Sequence, residues 1–296
     1  MTRLDVRKTY KLYIGGKFPR SESGRSYVVT DAKGRFLANA CRASRKDARD
    51  AVVAARSAFA DWSAATAYNR GQVLYRVAEV MEGRGEQFAA EVAAGEGLRL
   101  SQARDVVAAA VDRWVWYAGW TDKLAQVVGG TNPVAGPYFD FSIPEPTGVV
   151  AILAPQDSSL LGLVSVLAPA LAGGNVVVAV SSQSRPLPAI TLTEALATSD
   201  VPGGVVNMLT GSAAEIGPWL AEHADVNAID LTGTVGASDD RAADAELARD
   251  LEVKAAGTLK RVRRRSAGSP DWAAEPGLSR MTDFLETKTV WHPIGV

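Results

Sequence analysis

Gly148-Val-Val-Ala-Ile-Leu-Ala-Pro155 and, after one helix length, Gly173-Gly-Asn-Val-Val-Val-Ala-Val180 carry the reading of this chain. Val149 to Leu153 and Val176 to Val180 are continuous apolar runs of strand length, the pattern of parallel strands covered on both faces. Residues 160–171 between them have helix length. Gln156-Asp-Ser-Ser159 and Gly173-Gly-Asn175 interrupt the apolar stretch, so it reads as strand, helix, strand and not as a bilayer span. Downstream, residues 191–197 offer a second helix, Val205-Val-Asn-Met-Leu209 a third strand, residues 213–222 a third helix and Ala228-Ile-Asp-Leu231 a fourth strand. The order βαβαβαβ predicts an α/β fold, a Rossmann-like doubly wound parallel sheet.

Upstream, Leu12-Tyr-Ile-Gly-Gly-Lys-Phe18 and Ser26-Tyr-Val-Val29 are strand-like pieces that suggest a small edge hairpin. From Arg45 to Trp120 apolar residues recur at three- and four-residue spacing, predicting three helices broken near Ala64-Ala-Thr66 and Gly95-Glu-Gly97. Tyr138-Phe-Asp-Phe-Ser-Ile143 alternates as a strand and Pro144-Glu-Pro-Thr-Gly148 reads as a turn. Past Gly236 the patterning degrades. Arg261-Val-Arg-Arg-Arg265 is read as a solvated helix end, with no aromatic interleaving to suggest a nucleic-acid surface, and Ser266-Ala-Gly-Ser-Pro270 as linker.

With 296 residues, 47% hydrophobic and 22% charged, the chain has material for a substantial core. Its formal net charge of −1 gives no reason to expect nucleic acid or an anionic membrane as partner. One cysteine excludes an internal disulfide framework, and the charged N-terminus has no apolar signal region, so a cytoplasmic protein is expected.

Several segments, in order, carry a family resemblance: Leu12-Tyr-Ile-Gly-Gly-Lys17, Ala54-Ala-Arg-Ser-Ala-Phe59 with Trp62, Tyr117-Ala-Gly-Trp120, Glu145-Pro-Thr-Gly-Val149, Leu167-Ala-Pro-Ala-Leu-Ala-Gly-Gly-Asn175, Val201-Pro-Gly-Gly-Val-Val-Asn207, Leu231-Thr-Gly-Thr234 and the tail Glu286-Thr-Lys-Thr-Val-Trp-His-Pro-Ile-Gly295. The chain resembles the aldehyde dehydrogenases, NAD-dependent oxidoreductases, over Leu12 to Gly236 and again from about Met281. The resemblance implies a layout of 1–137 as N-terminal hairpin and helices, 138–148 as oligomerisation hairpin, 149–260 as the Rossmann-like part, 261–280 as a linker in place of the catalytic domain, and 281–296 as a C-terminal oligomerisation strand.

The residues that the family uses for chemistry are replaced. Its members attack with a thiolate in a Gly-Gln-x-Cys segment and carry a general base in Glu-Leu-Gly-Gly-Lys; neither segment is present, and by position the latter reads Ala256-Gly-Thr-Leu-Lys-Arg-Val262. About 45 residues separate Gly236 from Met281, against the hundred or more of a typical domain. The Pro-Trp-Asn loop that supplies an oxyanion donor is Pro155-Gln156-Asp157, whose carboxylate would oppose the developing charge. The lysine and glutamate that hold the adenosine ribose become Val180 and Gln183. The candidate cofactor positions are therefore Ala154, Gln183, Gly211, Leu231, Gly233 and Thr234, the last three keeping a glycine turn whose backbone dipoles suit a pyrophosphate. Asp239 and Asp240 follow closely and would repel one.

Other candidates have plainer readings. Cys41 has no histidine near it in sequence and reads as a structural thiol. His223 and His292 lie in such different settings that no metal site or triad is expected. Asp157 reads as a loop carboxylate, and Trp114, Trp116 and Trp120 as helix packing. The expectation is a pseudoenzyme with no catalytic residues and no or weak NAD(P). It would assemble with a full-length aldehyde dehydrogenase homologue through Tyr138-Phe-Asp-Phe-Ser-Ile143 and Thr287-Lys-Thr-Val-Trp291, and bind neither nucleic acid nor membrane. The alternatives are a weak NAD(H)-binding or sensing module and an active aldehyde oxidoreductase.

Overall fold

The computed structural model describes residues 8–268 and 270–295. Strands β1 (Thr9–Tyr10), β2 (Ser26–Thr30) and β3 (Phe36–Cys41) form a small sheet in the order β1-β3-β2. The strand expected over residues 12–18 is a tight turn. Ile14 and Lys17 exchange backbone hydrogen bonds around Gly15 and Gly16, both at positive φ, and Tyr13 bridges to Met208.

Four helices, not three, fill residues 45–120: α1 (Arg45–Ala64), α2 (Ala67–Gly83), α3 (Gly85–Glu96) and α4 (Leu100–Trp120). The extra break falls at Arg84, where two flanking glycines each weaken a continuous helix by about 1 kcal/mol. A short α5 (Leu124–Val128) leads to β4 (Gly130–Asn132) and β5 (Tyr138–Pro146). β5 runs through the turn expected at Pro144. Only one neighbouring strand flanks it there, a position that tolerates proline.

The α/β part follows as β6 (Val149–Leu153), α6 (Leu161–Ala172), β7 (Val176–Val180), α7 (Leu187–Leu196), β8 (Val206–Leu209), α8 (Ala213–Glu222) and β9 (Ala228–Asp230). α9 (Arg241–Ala256) then returns the chain to β10 (Arg261–Arg263). These strands make one parallel sheet in the order β10-β9-β6-β7-β8. Strands β6 to β9 are buried along their length, which is why they read as unbroken apolar runs. The chain is an α/β protein with the doubly wound sheet expected.

The basic cluster is the main correction to the sequence reading. Arg261 to Arg263 are not a helix end but a fifth strand, in register with Ala228 to Asp230. As the sheet's edge it tolerates polar residues, and pairing there satisfies the otherwise open side of β9. Nor is the following segment a free linker. Arg113 of α4 donates to the carbonyls of Trp272 (2.9 Å) and Ala274 (3.0 Å), and Trp272 is buried in the core. α10 (Ser279–Thr282) then packs on α6. Last comes β11 (Leu285–Pro293), antiparallel to β5 from Leu285 opposite Pro146 to Pro293 opposite Tyr138, in a sheet of order β11-β5-β4. Among the described residues no helix is long and apolar enough to cross a membrane.

Candidate functional site

The strand order reverses between β6 and β9, and in open α/β sheets a ligand sits outside the carboxyl ends of the strands at that reversal. The turn after β9, Leu231 to Thr234, meets the end of β6 there. A Cβ on Gly233 would lie 2.1 Å from the Ala154 carbonyl oxygen and 2.4 Å from that of Leu153, so only glycine permits the approach. Ala154, Leu231, Gly233 and Thr234 are thus brought together, all buried. Gln183 is exposed, and its backbone N–H reaches the same rim. Gly211 does not join them: it follows β8, two strands from β6, and meets Arg42 and Ala43. Val180 is fully buried in β7.

The protein's own groups bond to one another at this crevice. Gln156 folds back across it, donating Nε2 to the Ala154 carbonyl (2.8 Å) and accepting the Gln183 N–H on Oε1 (3.1 Å). Ser182 donates its hydroxyl to the Gln156 carbonyl (3.2 Å). The Thr234 hydroxyl donates to the Leu231 carbonyl (2.9 Å). Beyond the turn, buried Asp244 accepts the Gly236 N–H (2.7 Å), the Ser238 N–H (2.9 Å) and the Ser238 hydroxyl (3.0 Å). These are backbone donors that a phosphate would need. Asp239 and Asp240 are exposed, and Asp240 caps α9 by accepting the Ala242 N–H (2.8 Å). The carboxylate that matters is therefore Asp244, four residues past the helix cap, which sequence reading missed. α9 also lies flush on α8, with Leu251 methyls 3.4 Å from where a Gly217 Cβ would be.

The loop after β6 is equally fixed. Glu96 of α3 accepts both the N–H and the hydroxyl of Ser159 at 2.7 Å, and Arg185 donates to the Asp157 carbonyl (2.8 Å). Asp157 itself is exposed. At the end of β9, fully buried Asp230 accepts from Arg280 (3.2 Å) and from the Thr232 N–H (2.8 Å), with Arg263 4.0 Å away. Burial pushes the Arg263 guanidinium below its ordinary value, while its Asp283 partner lies alongside.

Cys41, His223 and His292 lie on three different elements. Cys41 is buried at the end of β3, where its carbonyl accepts the Thr210 hydroxyl. His223 ends α8, its Nδ1 accepting the Asp225 N–H (3.2 Å), and His292 lies in β11 opposite Phe139. Among the described residues no three His, Cys, Asp or Glu side chains group as metal ligands. The tryptophans of α4 pack: Trp114 is buried, and the Trp116 and Trp120 rings meet at a tilt of 42° with centroids 5.5 Å apart. At the crevice the backbone N–H groups of Gln183, Gly236 and Ser238 are thus already bonded, to Gln156 and to Asp244.

Comparison with known proteins places this geometry in context. The sequence profile of the Aldehyde dehydrogenase family matches residues 18–253, so the similarity runs past Gly236 through most of α9. The chain is 33% identical over 240 residues to cytosolic 10-formyltetrahydrofolate dehydrogenase of Mus musculus, covering 78% of this chain and 26% of that protein. It is 31% identical over 258 residues to the putative aldehyde dehydrogenase DhaS of Bacillus subtilis (strain 168), covering 86% and 50%. Among solved structures, HpcC from Thermus thermophilus superposes with a TM-score of 0.78 at 30% identity, over 86% of this chain and 47% of that one. An NAD+ complex of aldehyde dehydrogenase from Bacillus cereus gives 0.78 at 28% identity, over 86% and 50%. The chain spans about half the length of these structures and a smaller share of the folate enzyme.

Proposed function

Because the chain belongs to the aldehyde dehydrogenase family, we propose that it is a catalytically inactive, cytoplasmic member that serves as a structural or regulatory subunit of a full-length homologue. The family's thiolate and general base have no counterpart in these residues, and backbone donors at the crevice are bonded within the chain. The observation that carries the reading is β11. It is fully formed along β5, yet its outer edge has no neighbour among the described residues, and Trp291 on it is 58% exposed. Strand edges left open in this way invite pairing with another chain. In the family this strand extends a sheet in the catalytic domain of a partner subunit, and residues 237–280 are too few to supply such a domain in return. A full-length partner resolves the asymmetry.

A weak NAD(P)-binding module is the second reading, favoured by the retained Gly233 turn and the NAD-bound Bacillus cereus relative. It ranks below the first because the donors are already engaged.

The test is co-purification with a tagged full-length homologue. Phe284 and Leu285 are buried, so truncation begins after them. Deleting residues 286–296, or making Trp291→Ala, is expected to abolish the complex while leaving the α/β part folded. An aromatic anchor at a buried interface commonly contributes about 2 kcal/mol or more. A complex that survives both changes would move assembly to another surface, with Tyr138 to Ile143 next in line.

A further inference from the structure

Where the start of α1 meets the end of α8, a cleft of about 590 Å3 opens, lined by Ala48, Leu220 and Trp219 together with Arg45, Lys46 and Arg49. That volume falls within the usual range of small-molecule sites. Its charges are unequally committed. Lys46 pairs with Glu22 (3.2 Å), Arg49 with Asp50 (2.8 Å), and Glu222 on the far wall with Lys254 (3.2 Å). Among the described residues Arg45 has neither a carboxylate partner nor a hydrogen-bond acceptor. Its guanidinium instead lies over the Trp219 ring, 3.8 Å from the centroid.

Stacking through its face leaves the guanidinium's N–H groups, which lie in its plane, uncommitted. Those donors form a fork that matches the two oxygens of a carboxylate. Trp219 is 38% exposed, a large aromatic kept at the surface beside the apolar Ala48 and Leu220. His223 adds a donor on the wall. Its Nδ1 accepts the Asp225 N–H, which in the neutral imidazole leaves the proton on Nε2. The helix terminus itself is not the attraction, because Ser44 and Asp47 already cap α1.

We propose that this cleft is a binding site for a small ring-bearing carboxylate. Its ring lies against Leu220 and Ala48 beside the Arg45–Trp219 stack, and its carboxylate is held by Arg45, which Trp219 positions. The site is separate from the β11 edge and does not depend on the assembly proposed above.

The test is calorimetric titration of the full chain with naphthalene-2-carboxylate, set against naphthalene-2-methanol, which lacks the charge, and acetate, which lacks the ring. The carboxylate should bind, and the other two should bind at least about tenfold more weakly. Arg45→Ala and Trp219→Ala should each weaken binding by about tenfold or more, and Trp219→Phe, which keeps a ring, should lose less. Arg45 is exposed, so its removal costs at most its contact with Trp219 and should shift the melting temperature by no more than about 2 °C, separating loss of the site from loss of the fold. Equal binding of the alcohol and the carboxylate, unchanged binding by Arg45→Ala, or no binding of the carboxylate by the wild-type chain would each overturn the proposal.

Discussion

Asp244→Ala asks directly whether the crevice is closed by the protein's own carboxylate. The substitution strips the acceptor from two backbone N–H groups, Gly236 and Ser238, and from the Ser238 hydroxyl. The hydroxyl can turn to water at little cost. The two amides lie in a partly exposed loop, so each contributes near the low end of the penalty for an unsatisfied donor, about 1 kcal/mol. Losing an acidic group from the first turn of α9 adds about 0.5–1 kcal/mol. The sum is about 3 kcal/mol, which for a chain of this size lowers the melting temperature by roughly 5 °C. Asp244→Asn keeps one acceptor and should lose about half as much. If the freed amides then form an anion cradle, inorganic phosphate at about ten times its dissociation constant should return about 1.4 kcal/mol to the alanine variant and nothing to the wild type. The assay is thermal unfolding in phosphate and in chloride at matched ionic strength. An alanine variant that melts with the wild type would refute the role given to Asp244. Equal melting in the two salts would refute the cradle.

The isolated chain is expected to oxidise no aldehyde with NAD or NADP, and turnover abolished by Cys41→Ala would contradict this, since that thiol is buried with no base beside it. Calorimetry should place NAD binding weaker than millimolar: two lost charge-assisted hydrogen bonds at about 1.5–3 kcal/mol each remove two to four decades of affinity, and a micromolar constant would favour the sensing module. Glu91 gives a pH signature. Burial raises its pKa against the opposing hydrogen bonds from Thr191 and Tyr10 (2.8 Å each), and its second oxygen has no partner. The folded state therefore holds the proton more tightly than the unfolded one. The associated stability is complete below the unfolded value of about pH 4 and is lost as pH rises through the raised folded value. Relative to Glu91→Gln, the wild type should weaken from acid toward neutral pH in thermal melts. A difference between the two that is constant with pH would disprove the assignment.

How much of this was legible depended on how local each signal is. β6, α6 and β7 were readable because burial on both faces demands unbroken apolar runs, and the glycines and asparagine at 173–175 punctuate them. β10 was not, since a three-residue edge strand with two arginines carries no periodicity. It is a strand only because α9 returns it to the open side of β9. The break at Arg84 was hidden inside a continuing helical pattern, its cue being Gly83 and Gly85. At the crevice, Ala154, Leu231, Gly233 and Thr234, which the motif singles out, lie together where β6 and β9 end. The fold-back of Gln156 and the reach of Asp244 to the 236–238 loop depend on rotamers and on where α9 begins, and no spacing rule reports those.

The placement of β11 bears on why an open edge there argues for a partner. Asn175 accepts the Gly148 N–H (2.9 Å) and donates to the Phe284 carbonyl (3.0 Å), which also accepts from Thr147 (3.1 Å). Arg261 on β10 grips Glu286 through two hydrogen bonds of 2.6 and 2.8 Å, and Ser142 bonds Thr289 (2.8 Å). The strand is thus held from the α/β sheet at one end and from β5 along its length, and a docking chain would find it ordered in advance. Little of the ordering entropy that weakens association remains to be lost. Natural edges left uncovered are usually blunted by charge, but Lys288 is neutralised by Glu145 on the neighbouring strand (2.8 Å), and Trp291 stands exposed against Tyr138 with ring centres 5.6 Å apart. A preordered strand with its one lysine neutralised and an aromatic pair at its end would promote aggregation if it stayed bare, and that liability is the ground for proposing a partner at this edge.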